Sequence, residues 1–357
     1  MAIDVTRLPV DSTVQSTDLS ITPCQNSVPQ RPPKRVEKDL DRRPDGDCIL
    51  LRGAELLRGA ETIDVGPWRV SGCSRQINVD PNQGVRREPA PQFLRHSPNS
   101  DPERYSDLVA DVPSDLASVC AVARNLIAHY WFASVPLPSV SNDDINARWL
   151  SRILEIDQER HVGKPLQHER AEAHRVQGCC RDQVLLAVGI LRQHGIPART
   201  RLGFAEYFSG DRRQDHVVAE AWLGGRWVRF DPKLPGPREK VAHPHDISTA
   251  VDSPFLTAAG AWIGYRQHGR SIDDLGIRIP TAEFMGPPFV LTYLIMDVAH
   301  RFGDELLLWD YWGAIPLPGR TMHVELGDEL ADLVVHADAG DVDAERQLEH
   351  IHAPIRA

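Results

Sequence analysis

Cys179 and Cys180 follow Gly178 directly ahead of an apolar run with helical spacing, Val184 to Leu191, which is closed by Gly195 and Pro197. A cysteine at a helix start meets about half a positive charge and a set of unpaired backbone N–H groups. Both favour the thiolate, whose pKa can fall well below the free value of ~8.5 when an imidazolium is also close. The same N–H groups can receive the oxyanion of an acyl-transfer intermediate. These residue types point to a thiol nucleophile that needs a base.

A hairpin supplies the base. HVVAEAWL, starting at His216, and RWVRFD, ending at Asp231, flank Gly224-Gly225, a pair suited to a two-residue turn with positive φ. Such a turn sets Leu223 opposite Arg226 and Val218 opposite Asp231. His216 precedes Val218 by two residues, so it shares that face and is the diagonal neighbour of Asp231. Diagonal Cα pairs lie roughly 7–8 Å apart, within reach of side chains. A carboxylate so placed fixes the imidazole tautomer and favours its charged form.

The elements around these residues are expected to be mixed. Ser114 to His129 predicts a helix with Ser114 as N-cap and Leu116, Val119, Val122 and Leu126 on one face. Asp143 to Asp157 predicts a second helix, and Arg160 to Arg175 a polar, histidine-rich connection. The cysteine-led helix runs from Cys180 to His194, and a strand follows over Ala198 to Tyr207. FLTAAGAWIGYR and FVLTYLIMDVAHRF, between residues 250 and 320, predict helices.

The blocks Gly178-Cys-Cys-Arg-Asp182, Gly195-Ile-Pro-Ala-Arg199, Asp215-His216 with Trp222, and Arg226-Trp-Val with Phe230-Asp231-Pro232 resemble the transglutaminase-like branch of the papain-like cysteine enzymes. The resemblance covers about residues 170 to 235 and includes the order Cys, His, Asp. AWIGYRQHG, DDLGI and ELLLWDYWG are similar to the C-terminal extension of a bacterial cytoplasmic transglutaminase-like group. The resemblance implies an α+β fold: a papain-like, transglutaminase-like core whose nucleophile helix packs on an antiparallel sheet, with a helical C-terminal extension. It implies Cys180 as nucleophile, the cysteine directly before the Arg-Asp pair, with His216 as general base and Asp231 as its orienting carboxylate. Cys179 takes the place of a variable small or apolar residue. Lys233 and Leu234 depart from the pattern, which more usually has threonine after the Asp-Pro pair. Trp149 and Gln177 are the candidates for a side-chain oxyanion donor.

Other residues carry plainer expectations. Asp182 reads as a first-turn carboxylate that stabilises the helix N-terminus. Trp222 and Trp227 read as packing residues of the hairpin, with a groove-lining role as the alternative. His243, His245 and Asp246 invite a metal reading, but three such residues after a proline are more often a loop. His161, His168 and His174 lack regular ligand spacing. No P-loop or dinucleotide-binding glycine pattern occurs, and no cofactor or metal is expected.

At 357 residues with 41% hydrophobic and 25% charged content, the chain has the composition of a globular protein of about two domains. A net charge of −10 disfavours nucleic acid or anionic membrane as partner. MAIDVTRLPVDSTVQ lacks the apolar stretch of a secretory signal, and six cysteines in this length form no dense disulfide scaffold. A cytoplasmic location with reduced thiols is expected. Residues 1–105 are rich in Pro, Arg and Asp and are expected to be largely disordered. Residues 106–240 would form the catalytic core, 241–325 a helical extension, and 326–357 a short helix with a polar tail. The chemistry expected is acyl transfer from an amide or thioester carbonyl through a thioester intermediate, on a peptide, protein or small-molecule substrate. A cysteine peptidase or amidase is the alternative, and a non-catalytic binding module is the alternative of another class.

Overall fold

The computed structural model describes residues 89–208, 213–250, 252–279, 282–316 and 322–356. Most of the low-order segment expected over residues 1–105 lies outside the described residues. Its described end is packed in place, contrary to that expectation. Phe93 is buried against Trp227 at 5.3 Å between ring centroids. Ser97 and Ser100 are buried and hydrogen-bonded to Glu305 and Arg192 respectively.

The helix that opens at Cys180 is the axis of the molecule. α4 (Cys180–Gln193) is buried along nearly its whole length. On one side it meets α1 (Ser106–Ala110), α2 (Leu116–Leu126) and α3 (Leu150–Arg160); on the other it meets strands β3 (Ala198–Ala205) and β4 (Gln214–Leu223). A helix sandwiched between layers must be apolar all round. Val184 to Leu191 satisfies that, with every side chain in the run buried.

The main sheet has the order β6-β3-β4-β7-β8, with β5 also paired to β4. β5 is Arg226–Phe230, β6 Phe255–Thr257, β7 Gly276–Ile279 and β8 Ala282–Met285. All pairs are antiparallel except a single parallel bridge between β4 and β7. The hairpin has the expected register, with Leu223 facing Arg226 and Ala219 facing Phe230. Gly224 and Gly225 have φ of +59° and +79°.

Some boundaries differ from the sequence expectation. The N-cap of α2 is Asp115, whose carboxylate accepts from the Ser118 N–H at 2.9 Å, not Ser114. The helix stops at Leu126, and Ile127–His129 form β1, parallel to β2 (Val176–Gly178). A β-branched residue at 127 with a parallel partner outweighs continuation of the helix. The helix expected over 143–157 is instead a 3₁₀ segment, Ser139–Asn146, followed by α3. Phe255–Thr257, expected to be helical, is strand β6, and α5 (Ala258–His268) begins after it with Thr257 as N-cap.

The C-terminal helices cover β3. α6 (Gly286–Arg301) and α5 pack on that strand, and α7 (Val324–Asp338) packs on both helices. α8 (Val342–Arg356) closes against α7 and α6. Residues 326–357, expected to hold a short helix and a polar tail, thus contain most of two fifteen-residue helices. Leu330, Val334, Leu348 and Ile355 on their inner faces are buried. The fold is α+β with a helical C-terminal region. Among the described residues no helix is long and apolar enough to cross a membrane.

Candidate active site

β2 and α4 meet at Gly178-Cys179-Cys180. A Cβ on Gly178 would come within 2.8 Å of an Asp182 carboxylate oxygen and 3.0 Å of the Ile127 side chain. The glycine therefore lets the strand run directly into the helix. Cys179 is the extended N-cap residue, and its N–H donates to Asp182 Oδ2 at 2.8 Å. Asp182 thus satisfies an orphan donor of the first turn, as expected of a first-turn carboxylate. Cys180 is the first residue inside the helix and is 6% exposed.

His216 on β4 and Asp231 just beyond β5 meet as the hairpin register requires. His216 Nε2 and Asp231 Oδ2 are 2.8 Å apart, and both residues are buried. The Nε2 contact fixes one side of the ring and leaves Nδ1 as the nitrogen available to a thiol. Asp231 also accepts from the Tyr207 hydroxyl at 2.9 Å and from the Lys233 N–H at 2.8 Å. Burial works against its charge, but the imidazole and these donors hold its pKa below the ordinary carboxylate value.

Cys179, Cys180 and His216 all line one cleft, and the ionisation of Cys180 is tied to both of the others. The Cys180 pKa is pushed well below the ordinary thiol value. The hydrogen bond from Cys179 contributes most, burial opposes, and the His216 charge and the Lys233 ammonium add to the lowering. Burial likewise opposes the imidazolium of His216. Asp231 and the sulfur of Cys180 overcome it and raise the imidazole to about 9. The two shifts run in the directions that a thiolate–imidazolium pair requires.

These side chains open into a cleft of about 810 Å³. Its walls are largely aromatic: Tyr130, Trp131, Phe208, Phe289, Trp309 and Tyr311. Leu308 to Tyr311 line one wall, and the residues leading into them are tied to the helix by Arg181. That guanidinium is fully buried and donates to the carbonyls of Glu305, Leu306 and Arg148.

Several cleft residues were not singled out from the sequence. His129 ends β1 opposite Gly178. Its Nδ1 accepts from the Trp131 N–H at 3.2 Å, which leaves the proton of the neutral ring on Nε2. Burial, and then the neighbouring charges of Lys233 and His216, push its pKa well below the ordinary histidine value. Asp215 accepts from the Tyr293 hydroxyl at 2.6 Å, and burial raises it to about 6. The departure from pattern at Lys233 and the motif residue Asp215 were the signals in the sequence that pointed to this wall.

Other expected residues lie elsewhere. Gln177 donates to the Pro138 carbonyl at 2.8 Å and to Ser141 Oγ at 3.1 Å, and neither it nor Trp149 lines the cleft. Trp222 and Trp227 pack edge to face at 5.5 Å, away from the cleft. Asp246 is paired with Arg226. Among the described residues no cluster of His, Cys, Asp or Glu could hold a metal ion.

No curated protein sequence matches the chain at a significant level. A solved structure from Cytophaga hutchinsonii, provisionally named a cysteine protease, is 21% identical over 39% of this chain with a TM-score of 0.24. The chain spans about two fifths of that protein's length, 40%. Residues 146–232, which run from just before α3 through Pro232, match the model of the transglutaminase-like superfamily.

Proposed function

We propose that the protein is a cysteine-dependent acyltransferase acting on an amide or thioester carbonyl. The observation that supports this most directly is the convergence of the Cys180 thiol with the His216–Asp231 pair at the floor of an aromatic cleft. The Cys180 thiolate adds to the carbonyl carbon. The oxyanion faces the N–H groups at the start of α4, and the Nε2–H of neutral His129 is a further donor on the same cleft wall. Collapse of the intermediate breaks the bond to the leaving amine or thiol, which takes its proton from the His216 imidazolium. A thioester on Cys180 remains. The neutral imidazole then removes a proton from an incoming amine as it attacks. The thiolate leaves, the acyl group is transferred as an amide, and the starting ion pair is restored. Asp231 holds the ring throughout. A reducing cytoplasmic location suits a thiol of this kind.

Water in place of the amine would give a peptidase or amidase. The test traps the acyl-enzyme by mass spectrometry and then offers a small primary amine in competition with water. The expected result is an adduct on Cys180, absent in His216→Ala, that partitions mainly to the amide. Partition to the free acid at all amine concentrations would make the protein a hydrolase. Labelling of Cys180 by iodoacetamide no faster than that of buried Cys120 would make it a binding module.

A further inference from the structure

The cleft carries a cation that none of the proposed steps engages directly, although its charge favours the Cys180 thiolate. Lys233 follows Asp231 by two residues, and its backbone N–H is committed to that carboxylate. Its side chain instead lines the cleft. The ammonium lies 4.3 Å from the ring centroid of Phe132 and 4.4 Å from that of Phe208. Phe208 in turn stands edge-on to His216, with ring centroids 4.7 Å apart. Lys233, Cys180 and His216 all line the same cavity.

Aromatic faces attract the charge of an ammonium, but they do not replace the hydrogen bonds its three N–H groups make in water. Among the described residues no oxygen accepts a hydrogen bond from Lys233 Nζ and no carboxylate pairs with it. Three carboxylates of the same cleft are engaged elsewhere: Asp215 accepts from Tyr293, Glu283 pairs with Arg278, and Asp310 pairs with Arg148, while Asp274 lines the cleft without pairing with Lys233. A cation half removed from water, flanked by apolar rings and lacking an acceptor, is a site for an anion from outside. A charge-assisted hydrogen bond is strongest in such surroundings.

We infer that Lys233 selects acyl donors bearing a carboxylate close to the reacting carbonyl, the ammonium receiving that carboxylate while the aromatic walls take the apolar remainder of the donor. The inference rests on Cys180 being the nucleophile and names the substrate class of that same site. The position after the Asp-Pro pair thereby becomes a specificity determinant, since a neutral side chain there would offer no such charge.

The test compares alkylation of Cys180 by iodoacetate and by iodoacetamide, which differ only in a carboxylate against an amide beside the reacting carbon. The expected outcome is that Lys233→Met lowers the iodoacetate rate about tenfold more than the iodoacetamide rate, the size of one charge-assisted hydrogen bond. A second measurement uses the unaltered protein: millimolar benzoate should protect Cys180 from iodoacetamide, and benzamide at equal concentration should not. An equal fall in both rates, or equal protection by the two ligands, overturns the inference while leaving the thiol chemistry standing. Absence of selective labelling of Cys180 by iodoacetamide in the unaltered protein removes the catalytic reading, and this inference with it.

Discussion

Asp231 shows how a buried charge is made useful. It is fully buried yet accepts from an imidazole, a phenol and a backbone N–H, so its ionised form is retained where an unpaired carboxylate would take up a proton. That fixed negative charge is the main reason His216 remains an imidazolium up to about 9. With Cys180 pushed well below its ordinary value, the two shifts open a pH window in which thiolate and imidazolium coexist. The direction can be read in a pH profile. Iodoacetamide alkylation of Cys180 should remain fast well below the ordinary thiol pKa. Acyl transfer should decline as pH rises through about 9, where the imidazolium loses the proton it gives the leaving group. In His216→Ala the rise of alkylation should move up toward the ordinary thiol value of ~8.5. An unmoved profile would mean that the imidazole does not govern the sulfur. His216 alone contributes stability that is complete below its unfolded value of 6.5 and fades as pH rises through about 9.

The two glycines of the β4–β5 turn set the register on which the His216–Asp231 contact depends. Both have positive φ, a conformation that costs a residue with a Cβ about 1–2 kcal/mol. Gly225→Ala should therefore lower the midpoint of thermal unfolding by a few degrees, with Cys180 still selectively alkylated in the folded protein. An unchanged midpoint would show that the turn relaxes without strain. This hairpin was legible in the sequence because its information is local: a turn dipeptide fixes which residues face each other, and arithmetic does the rest. The start of α4 was legible for the same reason, in glycine, cysteines and a periodic apolar run. β1 was not. Ile127-Ala-His129 continues the spacing of α2, and only a partner some fifty residues on makes it a strand. His129 was lost with it, since its place beside Gly178 exists only in the paired state. Tyr207 reaches the site from just beyond the end of β3, and no spacing rule links it to Asp231.

At the scale of the whole molecule, the C-terminal helices are held to the sheet by a buried network of arginines and carboxylates as well as by apolar contact. Glu220 on β4 binds Arg199 at 2.8 Å and Arg229 at 2.8 and 3.0 Å. Asp338 on α7 binds Arg199, Arg201 and Arg301 at 2.9, 2.6 and 2.9 Å. Arg199 and Arg201 share both carboxylates, so β3 and α7 are cross-linked through their side chains. Such a network costs desolvation to assemble and is strongly destabilising to break at one point, because the remaining charges stay buried without partners. Glu220→Gln should accordingly cost about 3–5 kcal/mol. Burial works against the Glu220 charge, but Arg199 and Arg229 hold its pKa down to about 2, against 4.5 for a free glutamate. A carboxylate lowered by folding contributes stability that is present above its unfolded pKa and lost as pH falls through its folded pKa. Denaturant unfolding of the unaltered protein and of Glu220→Gln should therefore differ most above about pH 4.5. The gap should narrow as pH approaches 2, where the native glutamate takes up a proton and comes to resemble its amide. A gap that stays constant with pH would mean that Glu220 acts through shape and hydrogen bonding alone, and that its charge does not bind the extension to the core.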